Sequence, residues 1–195
     1  MKKYGDFIQR RGRETADLVL SFSQKEADTV VSISDRIVQS LKNGGKVLLA
    51  GNGGSAADAQ HFSAELVNRF LVDRHPLPAI ALTTDTSILT SIANDYSFEQ
   101  VFSRQVEALG KEGDVLIGIS TSGTSPNIIR AIESAKARSM VTIGVTGKNA
   151  SGMAPLCDIC LSVPDTRTPL IQEVHEFAFH IICEIVEERY FSDEN

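Results

Sequence analysis

The run Lys46-Val47-Leu48-Leu49-Ala50 is apolar at every position after the lysine, ends in Gly51-Asn52-Gly53-Gly54-Ser55, and leads straight into a helical pattern. A strand that is apolar at successive positions, rather than at alternate ones, is buried on both faces, as in a parallel sheet covered by helices. The arrangement recurs in Ala79-Ile80-Ala81-Leu82, in Asp114-Val115-Leu116-Ile117-Gly118-Ile119, in Val141-Thr142-Ile143-Gly144-Val145 and in residues 157–163. Helical patterns separate these runs. The chain is therefore expected to be α/β, a five-stranded parallel sheet flanked by helices, in which ligands bind beyond the carboxyl ends of the strands.

The remaining elements follow from local signals. Residues from about 6 to 43 read as two helices, with Ile33, Ile37, Val38 and Leu41 at helical spacing and Asn43-Gly44-Gly45 as a C-terminal stop. Further helices are expected over 55–70, from 83–87 toward Ala93, over 98–109, from Pro126 to about Arg138, and from Thr168-Pro169 to about Tyr190. No linker or repeat divides the 195 residues, so a single domain over 1–195 is expected, with its first 45 or so residues a helical extension. A net charge of −6 argues against a broad basic surface for nucleic acid. No apolar run approaches the ~18 residues of a membrane span, and the charged N-terminus holds no signal-peptide core. Three cysteines form no paired framework, which points to a reducing, cytoplasmic setting.

Two loops stand at carboxyl ends of strands. The glycine loop 51–54 aims bare backbone N–H groups above the sheet, where the positive end of a helix dipole favours an anion. It lacks the spacing and the downstream acid of a dinucleotide fingerprint. The loop Ser120-Thr121-Ser122-Gly123-Thr124-Ser125 carries five hydroxyls in six residues and opens onto a helix. It suits a phosphate group, although a solvated turn with a redundant cap has the same composition.

His61 and Glu65 lie four residues apart on one helical face, as two metal ligands, an acid/base pair or an ordinary surface pair. Gln172, Glu176 and His180 form a polar seam in the otherwise apolar last helix. Gln172 and His180 are separated by about 12 Å of helix axis, so to share one centre they must lean together or come from different subunits. Asn94-Asp95 ends a helix as a turn or as a contact for substrate hydroxyls. Cys157-Asp158-Ile159-Cys160 has C-x-x-C spacing, but in a strand the two thiols would point to opposite faces and could not act together. Cys183 is read as core and His75 as a loop residue.

Taken jointly, Gly51-Asn52-Gly53-Gly54-Ser55, Asn94-Asp95, the hydroxyl loop 120–125 and Ile171-Gln172-Glu173-Val174-His175 with His180 resemble a sugar isomerase (SIS) domain. Within that family they resemble the phosphoheptose isomerases. The resemblance spans nearly the whole chain. It implies a three-layer sandwich of flavodoxin-like or Rossmann-like type and a homotetramer with active sites at subunit interfaces. It implies interconversion of sedoheptulose 7-phosphate and D-glycero-D-manno-heptose 7-phosphate through an enediol, early in the supply of heptose for lipopolysaccharide core or related glycans. It implies one Zn2+ per subunit at His61, Glu65, Gln172 and His180, with Glu65 and His180 as acid/base residues. Substrate contacts are implied at Asn52, Gly53, Gly54, Glu65, Asn94, Asp95, Ser120, Thr121, Ser122, Ser125 and Gln172. Neither nucleic acid nor a membrane is expected as a partner. A non-catalytic scaffold, like the replication-initiator-associating protein of the same family, is the alternative. In that group the positions matching Glu65 and His180 carry residues unable to do the chemistry, whereas here both are intact. A sugar-phosphate-sensing regulator would need a DNA-binding domain, for which the chain leaves no room.

Overall fold

The computed structural model describes residues 2–192. Helix α1 (Lys2–Lys42) leads into strand β1 (Val47–Gly51), followed by α2 (Gly54–Val67), β2 (Ala79–Ala81), α3 (Thr86–Asp95), α4 (Ser103–Leu109), β3 (Val115–Ser120), α5 (Pro126–Ala137), β4 (Val141–Thr146), β5 (Ile159–Ser162) and α6 (Thr168–Phe191). Short 3₁₀ turns precede α4 and β5. All strand pairs are parallel and the order is β2-β1-β3-β4-β5. The chain leaves β1 toward one edge of the sheet and returns on its other side at β3. The loops after β1 and β3 therefore part at the topological switch point, where open α/β sheets hold ligands.

Alternation along the strands separates two cores. Val47 and Leu49 of β1 join Val115, Ile117 and Ile119 of β3 on the face covered by α1, α2 and α6. Leu48, Ala50 and Leu116 face the other way, onto Val101, Phe102, Val106, Ile128 and Ile132 beneath α4 and α5. Five parallel strands and three layers are thus as the sequence pattern requires.

The helix expected over 98–109 is a 3₁₀ turn at Phe98–Gln100 followed by α4 from Ser103, and two further expectations need correction. Residues 6–42 lie within one helix, α1, and not in two. Nothing inside it terminates a helix: it contains no proline, and Gly5 and Gly12 cost only about 1 kcal/mol each relative to alanine. Tertiary packing supplies more than that. Phe22, Val30, Ile33, Ile37 and Leu41 are buried, Phe22 meets Phe177 of α6 edge-on at 6.5 Å, and Glu173 of α6 accepts from both Arg11 and Thr15.

The second correction concerns the cysteine pair. Strand β5 begins only at Ile159, so Cys157 lies outside it. Both thiols lie near Gly144: an added Cβ there would stand 2.8 Å from Cys157 Sγ and 3.5 Å from Cys160 Sγ. The opposite-face argument fails because the strand is shorter than its apolar run. Burial nevertheless pushes the Cys157 thiol up to about 12, reinforced by the neighbouring Cys160, so it is not a reactive thiolate.

His175 of α6 is wholly buried, with Nε2 placed 3.2 Å from the Thr146 carbonyl oxygen. Neutral imidazole donates that bond, and burial lowers its pKa to about 4. The unfolded chain takes up this proton near pH 6.5, the native protein only near 4. Acidification through that window therefore favours unfolding, by on the order of 3 kcal/mol when complete. Denaturant titrations between pH 7 and 4 should show a shallower loss of stability for His175→Leu than for the parent protein. Identical slopes would remove His175 as a source of the acid sensitivity.

Candidate active site

The two loops at the switch point are tied to each other. Asn52, in the glycine loop, and Asn127, in the first turn of α5, exchange side-chain amide hydrogen bonds of 2.9 and 2.8 Å. Gly53 caps α2 at φ +56°, a left-handed conformation that glycine adopts freely. At Gly54 an added Cβ would lie 2.2 Å from Gln172 Nε2, so the bare Cα is what lets the Gln172 amide rest on the loop.

In the hydroxyl loop, Ser120 and Ser125 bring their Oγ atoms to 2.9 Å, and Ser122 Oγ lies 3.3 Å from Ser120 Oγ. Ser125 is the N-cap residue of α5, yet its side chain makes no cap bond. Its hydroxyl turns toward Ser120 instead, so the hydroxyls converge beside the N-terminal end of α5. Such convergence fits a phosphate. A cavity of ≈ 450 Å³ opens beside the loop, lined by Thr121, Ser122, Thr124, Lys148 and Thr168 among others. Lys148 brings a cation to it that composition and spacing did not single out.

The third component is a seam between α2 and α6. The helices run side by side in the same direction: Gly54 meets Gln172, His61 meets Glu176, and His61 meets His180. His61 Nε2 lies 3.2 Å from Glu65 Oε1, and His61 Nδ1 lies 2.7 Å from Glu176 Oε2. The His180 ring meets His61 edge-on at 5.1 Å and stacks on Phe70 at 5.6 Å. Asp58, one turn before His61, is buried and stands against Glu176. Burial first, then the hydrogen bond and charge of Glu176, push its pKa up to about 7, with His61 opposing. Its Oδ2 has no donor. Two carboxyls so placed must share a proton or neighbour a cation.

That demand, and the donor set itself, fit a metal. One ligand atom each from His61, Glu176 and His180 lies within 4.8 Å of the others, and Glu65 reaches the same imidazole. Imidazole nitrogens with carboxylate oxygens suit zinc and related divalent ions. Gln172, by contrast, has its amide at Gly54, about 10 Å of helix away from the level of His61. Asp58 was not singled out from the sequence, although its spacing to His61 and Glu65 puts all three on one face of α2. Glu176 was read only as part of a polar stripe. Asn94 and Asp95 are exposed at the end of α3 and bond to each other at 2.7 Å, with no hydrogen bond to either loop among the described residues.

A buried ion pair anchors the far end of α2. Glu187 of α6 accepts from Phe70, Leu71 and Val72 backbone N–H groups and from Arg74 Nε. Arg74 in turn donates to the carbonyls of Glu65 and Leu66, at 2.8 Å each. Burial opposes ionisation of Glu187, but the backbone bonds and Arg74 outweigh it and keep its pKa below the ordinary value. The Glu65 backbone and the stretch carrying Phe70 are thereby fixed to α6.

Comparison with known proteins places this geometry. A model of the SIS domain matches residues 12–147. A phosphoheptose isomerase of Desulfovibrio desulfuricans is 54% identical over 190 residues, covering 97% of this chain and 90% of the relative. One from Burkholderia pseudomallei is 59% identical, covering 84% and 83%. The chain belongs to the phosphoheptose isomerases of the SIS domain family. The structure of the Neisseria gonorrhoeae phosphoheptose isomerase superposes with a TM-score of 0.90 at 42% identity, over 95% of this chain and 99% of that one. The parallel sheet and its flanking helices are therefore the SIS fold of that family.

Replacing Glu187 with Leu leaves the Arg74 guanidinium buried without its partner, and urea unfolding should show a loss of about 3–5 kcal/mol. The double variant Arg74→Met/Glu187→Leu should lose less. A double variant as unstable as the single one would locate the loss in the backbone bonds of residues 70–72 rather than in the unpaired charge.

Proposed function

We propose that the chain interconverts sedoheptulose 7-phosphate and D-glycero-D-manno-heptose 7-phosphate. The observation that carries this reading is the α2–α6 seam, which gathers Glu65, His61 and His180 on the face that begins at the glycine loop. The convergent hydroxyls of 120–125 supply a phosphate subsite across the switch point. Asn52, Gly53, Gly54, Ser120, Thr121, Ser122, Ser125 and Gln172 are proposed to hold the sugar phosphate, with Asn94 and Asp95 completing the contacts at a subunit interface.

Aldose–ketose isomerisation moves one proton between adjacent carbons. Glu65 takes a proton from C1 of the ketose as the C2 carbonyl oxygen gains one, which leaves the C1=C2 enediol. The oxygen on C1 then loses its proton, C2 receives one from Glu65, and the carbonyl now stands at C1. His180 is assigned the transfers between oxygens. Zinc is proposed at His61, Glu65 and His180; Gln172, the fourth ligand implied by family resemblance, stands at Gly54 in the single chain and would have to join such a centre from a neighbouring subunit. Bound there, it would polarise the substrate carbonyl and balance the carboxylates of the seam. Coordination lowers the basicity of Glu65, so the metal and base roles compete at one carboxylate.

A homotetramer is proposed as the working form. Tyr4, Phe7, Ile8 and Leu20 of α1 are large apolar side chains left exposed in the single chain, a surface that suits further copies. No helix among the described residues is long and apolar enough to cross a membrane. A cytoplasmic location is proposed from family resemblance and the unpaired cysteines.

An NMR time course with sedoheptulose 7-phosphate, in zinc and in chelator, tests the reaction. An aldoheptose 7-phosphate should appear, faster with zinc. Glu65→Gln should lower kcat at least about a hundredfold while the oligomer persists. No product from a folded oligomer under either condition would reject the isomerase reading and favour a scaffold.

A further inference from the structure

Three sulfur-bearing side chains surround Gly144 of β4. Gly144 pairs with Cys160 of the edge strand β5. Leu161 packs into the core beneath α1, α2 and α6, so Cys160 points to the other face of the sheet, the face on which a Gly144 side chain would stand. A Cβ there would lie 2.8 Å from Cys157 Sγ, 3.2 Å from Met153 Cε and 3.5 Å from Cys160 Sγ. The two thiol sulfurs are therefore closer together than the sum of the first and last distances. One ion with thiolate bonds of about 2.3 Å bridges such a gap after small side-chain movements. The Met153 sulfur is one bond behind its Cε. The glycine leaves open the space in which these groups meet.

The segment that carries the thiols is pinned. Asp158, between the two cysteines, accepts from the Thr142 N–H and hydroxyl at 2.8 Å each, and its own N–H donates to the Thr142 carbonyl at 2.9 Å. Both cysteines are free and partly exposed, so an ion can reach them. Burial keeps Cys157 protonated at neutral pH, which disfavours nucleophilic exchange, whereas a strongly thiophilic ion displaces the protons. Among the described residues, no imidazole or carboxylate joins the thiols in a group of three ligands. Structural zinc takes four ligands, and iron–sulfur clusters take four cysteines. Two thiolates and a thioether instead suit copper(I). Two thiols that each lose a proton to one such ion leave a single negative charge, and Lys136 of α5 offers a positive charge that favours the Cys157 thiolate.

We propose that Cys157 and Cys160, with Met153 as a third donor, form a binding site for a soft monovalent ion, copper(I), separate from the α2–α6 seam. Anaerobic titration of the reduced protein with copper(I), against the chromophoric chelator bicinchoninate, tests it. One equivalent should bind, with ultraviolet thiolate-to-metal absorption. Cys157→Ser and Cys160→Ser should each weaken that equivalent at least about 100-fold, the upper end of what a group outside the ligand shell costs. Met153→Leu should cost less, because the thioether is neutral. Cys183→Ser, which alters a buried thiol of α6, should change nothing. Copper(I) taken by the imidazoles of the seam is counted apart, as the portion lost in His61→Ala. Circular dichroism and the urea midpoint check that each variant is folded. Full affinity in folded Cys157→Ser and Cys160→Ser overturns the proposal, as does a parent protein from which the chelator removes all copper(I) beyond the portion lost in His61→Ala. Displacement of the bound copper(I) by an equal concentration of zinc overturns the assignment of the ion.

Discussion

Phe62 of α2 stacks on Phe179 of α6 with ring centroids 4.9 Å apart, both rings buried, and the polar site is built on this contact. Each phenylalanine adjoins a histidine of the cluster. Once the rings are stacked, His61 and His180 must emerge at the same level of the seam. The level of the other pairs follows from helical geometry: one turn toward the N-termini lies Asp58 against Glu176, and two turns away Gly54 lies under Gln172. Aromatic stacking contributes about 0.5–1.5 kcal/mol beyond the area it buries, and here it also sets the register between two helices.

The sheet explains why those helices run in the same direction. Each follows a loop at the carboxyl edge, so their N-termini lie on the side where β1 and β3 part. Anion-binding backbone and hydroxyls therefore collect at the start of the helices, while acid/base and metal-ligating groups are displayed along them. A phosphorylated sugar needs the same division: a fixed charged end, and proton transfer at carbons some distance away. The seam concentrates Asp58, Glu65 and Glu176 around two imidazoles. Burial first, and then the hydrogen bond and charge of Glu176, raise the pKa of Asp58 there. The Arg74–Glu187 pair sits apart from that crowding and stabilises the segment that presents Phe70 to His180.

Much of the architecture was legible from local patterns. Continuous apolar runs implied strands buried on both faces, and such strands imply a parallel sheet. Glycines and hydroxyls at strand ends marked the two loops. His61 and Glu65 were legible as neighbours because their four-residue spacing is itself a distance in a helix. Errors arose where tertiary packing overrode local signals. Contact with α6 carries α1 through as one helix, and β5 stops short of its apolar run, which leaves both thiols beside Gly144.

The sequence by itself determined the α/β class, the strand-end loops and the chemical types available at the site, because these depend on composition and on periodicities of two and 3.6 residues. It also carried the resemblance to the sugar isomerase family, through motifs whose order is their information. Only the tertiary structure decided that Glu176 faces His61, that Asp58 stands behind it, and that Gln172 lies over Gly54 rather than beside His180. These are contacts between α2 and α6, more than a hundred residues apart in the chain. Their register is set by which buried rings interlock, and no spacing within either helix encodes it.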